Sequence, residues 1–379
     1  MTGEPTDVPD IAFAAALAGL PSMTVWRLGA LLRGRPARSA WRMAAGLEDP
    51  SPHVARLLAH TGEAALLARE CRAVSVAGVW QRCLDLGVWV MRAGDPRFPP
   101  ALAGDPVPPP VLFGLGDIDV LRQRRAAVVG TRSATAAGRS FAARLGFELA
   151  DAGVAVVSGL ARGIDGAVHQ GALSAHRAAS PGRPVGVVAC GLDVVYPREH
   201  RALYTAVAEA GLLLSEVPPG TQPRPFRFPQ RNRIVAALGE VVVVVESRFK
   251  GGSLITVEEA NRRGVPVMAV PGAVCNPAAG GVNGLLRDGA LIVTEPDDVL
   301  AVLSIHHHRA AMDTPAPTAH ASLYQACLGA PRTIEQLVLD TGLSLAEVAV
   351  AARALVVGGW LTDDGGWYEA RLASSLGAR

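Results

Sequence analysis

Between Arg125 and Val293 the sequence alternates between short apolar runs and longer amphipathic segments. The apolar runs lie near residues 126–129, 154–157, 185–189, 212–214, 241–245, 267–270 and 291–293. Between these runs, apolar residues recur at the spacing of a helix, most clearly at 136–150, 165–176 and 253–263. Strands without a polar face are typical of parallel sheets that helices cover on both sides. The alternation therefore predicts an α/β fold with a doubly wound parallel sheet.

The segments on either side of this sheet differ from it in pattern. Residues 1–93 contain several short helical stretches and predict a small helical domain, and a proline-rich connector opens the sheet domain, residues 94–304. Residues 305–321 are rich in proline and small polar residues and predict a linker. Residues 322–379 predict three helices and a hairpin, with a capping box formed by Ser344 and Glu347. That order indicates a winged-helix domain.

Composition limits where such a protein works and what it holds. The five cysteines are scattered, without the short paired spacing of a zinc site, so we expect reduced thiols, no metal and no cofactor. No apolar run approaches the roughly 20 residues that span a bilayer, and we expect a cytoplasmic protein without membrane contact. The net charge is only +2, so a polyanionic partner would need a local basic patch.

One such patch is the segment 224–233, RPFRFPQRNR, which precedes the run of five valines. Its four arginines are suited to phosphates. Phe226 and Phe228 offer flat faces on which unpaired bases could stack. The segment therefore indicates a nucleic-acid contact more strongly than a metabolite pocket.

The loop after the first apolar run, 130–135, has the sequence GTRSAT and leads into a helix. It lacks the GxGxxG spacing of dinucleotide sites because Arg132 stands where the second glycine would be, which argues against NAD. A single phosphate held by Arg132, Ser133 and the helix amides fits better, with Gly130 and Thr131 beside it. An exposed arginine in a tight turn remains the alternative.

Other loops follow strands of the same sheet. Ser158, Gly159 and Arg162 follow the second strand, and Arg248, Lys250 and Ser253 follow the fifth. Because the carboxyl ends of parallel strands meet at one edge, these loops are expected to form one basic rim with the segment 224–233. A solvated basic surface is the alternative. Asp165 is expected to cap the helix after Gly163, with His169 packing on the same helix face.

Six motifs occur in a fixed order: SGLARGID, CGLDVVYP, LLLSEVP, FPQRNRI, SLIT and AVPG. In this order they resemble the DNA-processing protein A (DprA/Smf) family over roughly residues 94–296. The resemblance implies an extended Rossmann-like domain that binds single-stranded DNA and forms homodimers. It also implies assistance to the recombinase RecA during natural transformation, and no catalysis. A helical front domain, of the SAM or helix-hairpin-helix kind, and a winged-helix tail agree with that layout.

The resemblance also suggests individual contacts. The phosphate-binding arginine of the family corresponds to Arg132, beside Ser133, and its RNR signature to Arg231, Asn232 and Arg233. The basic residue of the family just before the third strand corresponds to Arg183, and the one that follows the fifth strand corresponds to Arg248. Asn232 is expected to cap a short helix, 232–238. Three positions depart from the usual family residues, namely Val168, His200 and Gly251.

A rival prediction is an enzyme. Residues 250–259, KGGSLITVEE, resemble the phosphate loop of nucleotide phosphoribohydrolases, in which a glutamate helps to cleave the base from its sugar. Glu258 and Glu259 would be the candidates, acting on a nucleoside monophosphate. The proline and a glycine of that loop are missing here, and the arginines would be superfluous for a mononucleotide.

Overall fold

The computed structural model describes residues 8–58, 63–305, 320–328, 330–358, 360–364 and 366–370. The chain divides into two units, Met1–His306 and His307–Arg379. Residues 306–319, most of the predicted linker, lie outside the described residues, and so do 1–7 and 371–379 at the ends of the predicted terminal domains.

The first unit begins with six helices. They are α1 (Asp10–Ala18), α2 (Val25–Leu32), α3 (Ala37–Ala45), α4 (Pro52–Leu58), α5 (Glu63–Ala73) and α6 (Val76–Asp85). The elements that follow are β1 (Trp89–Arg92), α7 (Pro100–Ala103), β2 (Val111–Gly116), β3 (Arg125–Val129), α8 (Ala136–Asp151), β4 (Ala155–Ser158), α9 (Ile164–Arg177), β5 (Pro184–Val187), α10 (Arg201–Ala210), β6 (Leu212–Ser215), α11 (Arg227–Leu238), β7 (Val241–Val244), α12 (Ser253–Arg262), β8 (Val267–Ala269), α13 (Gly280–Arg287), β9 (Leu291–Ile292) and α14 (Pro296–Val302).

Nine strands form the sheet of this unit, in the order β1-β2-β6-β5-β4-β3-β7-β8-β9. Seven of these strands, β3 to β9, are parallel to one another and lie side by side in the sheet. They coincide with the seven predicted apolar runs, which confirms the doubly wound parallel sheet. The two antiparallel strands at one edge, β1 and β2, were not predicted. β1 is short and buries only Met91 fully, so it lacks the continuous apolar signal of the interior strands.

Successive residues of the strands point to opposite faces, as the pleat requires. In β3, Ala126 and Val128 contact the core beneath α8, α9 and α14. Ala127 and Val129 contact the other core, beneath α11, α12 and α13. Helices therefore cover both faces, and the apolar runs are explained by two-sided burial.

The N-terminal helices share a core with the sheet. Residues 12–18 of α1 are all buried, and the same cluster includes Phe113 of β2 and Leu213 of β6. An ion pair joins Arg82 of α6 to Asp193 in the loop after β5, with Nη2 2.5 Å from Oδ2. The helical segment and the sheet are consequently one compact unit.

The strand order reverses at the pair formed by β3 and β7. The chain proceeds from β3 through β4, β5 and β6 in one direction, and from β7 through β8 and β9 in the other. Ligands of open α/β sheets commonly lie beyond the carboxyl ends of the strands at such a reversal. The loops that follow β3, β4, β5 and β7 all open at this edge.

The second unit contains α15 (Ala321–Leu328), β10 (Arg332–Thr333), α16 (Ile334–Thr341), α17 (Leu345–Val357), β11 (Leu361–Asp364) and β12 (Trp367–Ala370). Its three strands form an antiparallel sheet in the order β10-β12-β11. The predicted capping box of α17 is confirmed, because Ser344 and Glu347 bind each other's backbone amides. Leu323, Leu337, Val348 and Leu355 are in its core.

Candidate functional site

The centre of the carboxyl-end edge is the side chain of Arg231, in the second turn of α11. Only 7% of Arg231 is exposed, and its guanidinium lies directly against the backbone of Gly159. A Cβ at residue 159 would be 1.5 Å from Nη1 of Arg231. Within the described part of the chain, Nε of Arg231 has no hydrogen-bond partner. Burial lowers the pKa of Arg231, and the nearby Asp165 opposes that shift.

Asp165 and His169 lie beneath this arginine on α9, and both are buried. Asp165 accepts a hydrogen bond of 3.2 Å from the amide of Gly159, whereas the N-cap Gly163 has no side-chain cap. The predicted capping role of Asp165 is therefore wrong, and the carboxylate instead fixes the loop after β4. Burial raises the pKa of Asp165, while Arg231 acts in the opposite direction. Burial lowers the pKa of His169 to about 3.

A pocket opens above Arg231. It is lined by Arg132, Gly159, Ala161, Arg162, Tyr196, Pro197, Phe228 and Arg231. The rings of Phe228 and Tyr196 are tilted at 50° with centroids 5.3 Å apart. The guanidinium carbon of Arg132 is 4.9 Å from the centroid of Phe228. Three arginines and two aromatic rings, contributed by the loops after β3, β4 and β5 and by α11, thus meet in one concavity.

More cations flank the pocket. Arg248 and Lys250 are exposed in the turn after β7, and no ion-pair partner is found for either within the described ranges. Arg162 is also exposed, but it is paired with Glu199, whose pKa is lowered mainly by this hydrogen bond. Ser253, the first residue of α12, is buried and donates to Oγ of Ser247 at 2.9 Å. Of these three flanking cations, Arg248 and Lys250 are therefore the two without a paired carboxylate in the part of the chain that the structure describes.

The helix end predicted to hold a phosphate is already in contact with a carboxylate. Glu246 accepts hydrogen bonds from the amide of Thr135 at 2.9 Å and from its hydroxyl at 2.5 Å. The amide of Thr131 donates to the backbone oxygen of Glu246 at 2.7 Å. Arg132 and Ser133 are exposed beyond this contact, and Gly130 permits the close approach of Ile164. The start of α8 is thus capped from within the protein.

Two arginines of the predicted site point elsewhere. Arg233 is buried, is ion-paired with Glu216 and donates to the carbonyl of Val107. Arg183 precedes β5 and lies at the amino edge of the sheet, where it donates to the carbonyl of Ser180 at 2.6 Å. Ser158 is also structural, because its hydroxyl is buried and donates to the carbonyl of Val128 at 2.6 Å. The structure does not bring these side chains to the pocket.

The predicted cap at Asn232 is wrong. α11 begins at Arg227, so Asn232 lies in the middle of the helix, and its amide is 3.5 Å from the carbonyl oxygen of Gly252. Pro229 stands in the first turn of α11, where its missing amide costs nothing. The helix therefore begins five residues before the predicted segment 232–238.

Sequence reasoning missed Tyr196 and Glu246. Tyr196 is the penultimate residue of the motif CGLDVVYP after β5, so the same carboxyl-end argument that selected Arg132 could have found it. Glu246 directly follows the valine strand, but its contact with Thr135 joins residues 111 positions apart. That pairing has no local sequence signal.

The residues of the rival enzyme prediction lie on α12. Glu259 is bound to Arg263, with Oε2 2.5 Å from Nη1, and Arg263 is also paired with Asp105. Glu258 is exposed. Within the described ranges no group of His, Cys, Asp or Glu residues is arranged to hold a metal ion, and no helix there has the length and apolar character needed to cross a bilayer.

Comparison with known proteins identifies relatives of this chain. Residues 89–304 match the family described as DNA recombination-mediator protein A. A putative DNA processing protein DprA of Mycobacterium tuberculosis is 40% identical over 282 residues, which cover 71% of each protein. The DNA processing protein DprA of Bacillus subtilis is 42% identical over 197 residues, 52% of this chain and 65% of that protein.

Two solved structures share the fold. DNA processing protein A of Streptococcus pneumoniae aligns with a TM-score of 0.65 and 28% identity, covering 79% of this chain and 99% of that one. DNA processing protein A of Helicobacter pylori, solved to examine its single-stranded DNA binding mode, aligns with a TM-score of 0.52 and 27% identity. The second alignment covers 58% of this chain and 97% of that one.

Proposed function

The chain belongs to the DNA recombination-mediator protein A family, and we propose that it is a DNA-processing protein that binds single-stranded DNA at the carboxyl-end edge of its sheet. The observation that carries the proposal is the pocket above Arg231. Arg132 and Arg231 approach it from different elements, and Phe228 and Tyr196 form its wall. Phosphates and base faces are the groups that such an arrangement recognises together.

The buried guanidinium supports a phosphate in particular. Arg231 is desolvated, and its Nε finds no partner among the residues that the structure describes. A buried cation is stabilised by an anion that can accept several of its hydrogen bonds, and a phosphate oxygen does so. Asp165 does not line the pocket, and its carboxylate instead accepts a hydrogen bond from the amide of Gly159.

The strand would continue from this pocket over the turn after β7. Arg248 and Lys250 are exposed there, and Arg132 lies between them and Arg231 along the edge. We therefore assign the phosphates to these four side chains and leave Arg183 and Arg233 out of the path. Arg162 is a secondary contact, because a phosphate would have to compete with Glu199. Recognition through phosphates and base faces would be largely independent of sequence.

Duplex DNA is the matched control. A base in a duplex is stacked and paired, so it cannot reach Phe228 without being unpaired first. Labelled oligonucleotides of equal length, single-stranded and duplex, should be titrated by fluorescence anisotropy. We expect tighter binding of the single strand. Equal binding of both forms would contradict a role for the aromatic wall.

We also propose that the chain is not an enzyme. The engagement of Glu259 with Arg263 supports this, because that carboxylate is already neutralised by a cation. Incubation with AMP tests the rival activity. We expect no release of free adenine. Release of adenine by the wild type that is abolished in Glu258→Gln or Glu259→Gln would favour the phosphoribohydrolase.

The partners and location follow from the family resemblance. We propose that the protein forms a homodimer in the cytoplasm, assists RecA on single-stranded DNA, and carries a winged-helix domain at residues 322–379. All five cysteines are free, which fits a reducing compartment. Light scattering tests the dimer. RecA-driven strand exchange on DNA coated with a single-strand binding protein, with and without this chain, tests the assistance.

A further inference from the structure

Glu246 occupies the position at which nucleotide-binding folds of this topology place a phosphate. It follows β7 at the reversal of strand order, and 9% of it is exposed. Its carboxylate bonds to the amide and the hydroxyl of Thr135, the N-cap of α8. A Cβ on Gly138, in the first turn of that helix, would be 2.4 Å from the carboxylate carbon of Glu246.

This geometry matches that of a bound anion. The first turn of a helix presents unpaired amides and the positive end of the helix dipole, and it favours a negative group. Phosphates bind there in dinucleotide sites, where glycines allow them to approach the backbone. Here Gly138 allows the approach of a carboxylate from the same chain. The charge and the hydrogen bonds that a phosphate would supply are therefore already provided.

We infer that Glu246 is a specificity-determining residue that closes the strand-reversal site to the phosphate of free mononucleotides. The carboxylate repels an incoming phosphate and occupies its space. The same residue ties the loop after β3 to the loop after β7, through Thr131 and Thr135. The inference depends on this geometry alone and would stand if single-stranded DNA bound elsewhere.

Removal of the carboxylate should expose the latent site. Glu246→Ala vacates the space and leaves the amide of Thr135 unpaired, whereas Glu246→Gln removes the charge but keeps the shape. Inorganic phosphate and AMP are the probes, with calorimetry on the full chain as the readout. We expect Glu246→Ala to bind phosphate about fivefold more tightly than the wild type, the scale of favourable helix-end interactions. Glu246→Gln should show a smaller gain than Glu246→Ala, because it removes the repulsion but still fills the space.

A second substitution locates the new site. In the double variant Glu246→Ala with Gly138→Ala, the added methyl group fills part of the vacated space, so the gain should disappear. A gain that persists would place the phosphate elsewhere and overturn the inference. A folded Glu246→Ala protein with wild-type phosphate affinity would also overturn it.

The wild-type protein provides a test that needs no variant to fold. Phosphate and AMP should leave the amide resonances of Thr135 and Gly138 unchanged, because Glu246 already occupies their surroundings. A saturable shift of those two resonances on addition of phosphate would show that the site is open. That result would contradict the inference whatever the variants do.

Discussion

The guanidinium of Arg231 lies so close to the backbone of Gly159 that a Cβ at residue 159 would be 1.5 Å from Nη1. This contact joins the helix after β6 to the loop after β4. It explains why the loop has a glycine at a position with ordinary backbone geometry. The glycine is needed for the space that the arginine takes.

Gly159→Ala should therefore displace Arg231 and weaken single-stranded DNA binding by about tenfold, the scale of one lost charged hydrogen bond. Gly284→Ala is the matched control, because a Cβ there meets nothing within 4 Å. Anisotropy titration measures the affinity and thermal denaturation checks the fold. A folded Gly159→Ala protein with full affinity would argue against a phosphate contact at Arg231.

The two phenylalanines of the segment 224–233 should differ. Phe228 faces the pocket beside Tyr196, whereas Phe226 is 50% exposed and contacts Arg227. Stacking on an aromatic side chain contributes about 1–3 kcal/mol per base, so Phe228→Ala should lower single-strand affinity by at least about fivefold. Phe226→Ala should change it less. Equal effects of the two substitutions in anisotropy titrations would remove the distinction between them.

The buried pair of Arg233 and Glu216 should matter for stability rather than for binding. Removing one partner of a buried ion pair typically costs about 3 kcal/mol, because the other charge is left without compensation. Arg233→Met should show this loss in urea denaturation, and exposed Arg248→Met should change stability by less than about 0.5 kcal/mol. The affinity of the folded variants for single-stranded DNA should show the reverse order, with Arg248→Met binding more weakly than Arg233→Met.

His169 predicts how stability changes with pH. Its pKa is about 3 in the folded protein and about 6.5 in an unfolded chain. Below pH 6.5 the unfolded state takes up a proton that the folded state does not, so stability falls as the pH falls toward 3. Between pH 7 and 5 this amounts to about 2 kcal/mol. Between these two pH values the free energy of unfolding of His169→Gln should fall by about 2 kcal/mol less than that of the wild type. Equal losses of stability in urea denaturation would contradict this role of His169.

The sequence predicted the parallel sheet well because two-sided burial leaves a strong local signal in each strand. It predicted the carboxyl-end loops for the same reason, since strand direction fixes where each loop opens. That rule also places Arg183, which precedes a strand, at the opposite edge. Arg183 was assigned to the site from the family resemblance and not from the strand direction.

The burial of individual side chains and the contacts between residues distant in sequence could not be predicted in this way. Arg231 and Arg233 are two residues apart, about 200° around a helix, so they point to opposite sides. The local sequence RNR does not predict which of the two arginines faces the pocket. The carboxylate of Glu246 could not be placed on Thr135 without the pairing of β3 with β7.

The most direct test of the central claim is the salt dependence of single-stranded DNA binding. Four phosphate contacts predict a slope of about −2.8 for log affinity against log salt, at roughly −0.7 per contact. Arg132→Ala should reduce the steepness by about 0.7, while Arg183→Ala, at the other edge of the sheet, should leave it unchanged. A wild-type slope near zero, or equal slopes for the wild type and Arg132→Ala, would contradict binding at this edge.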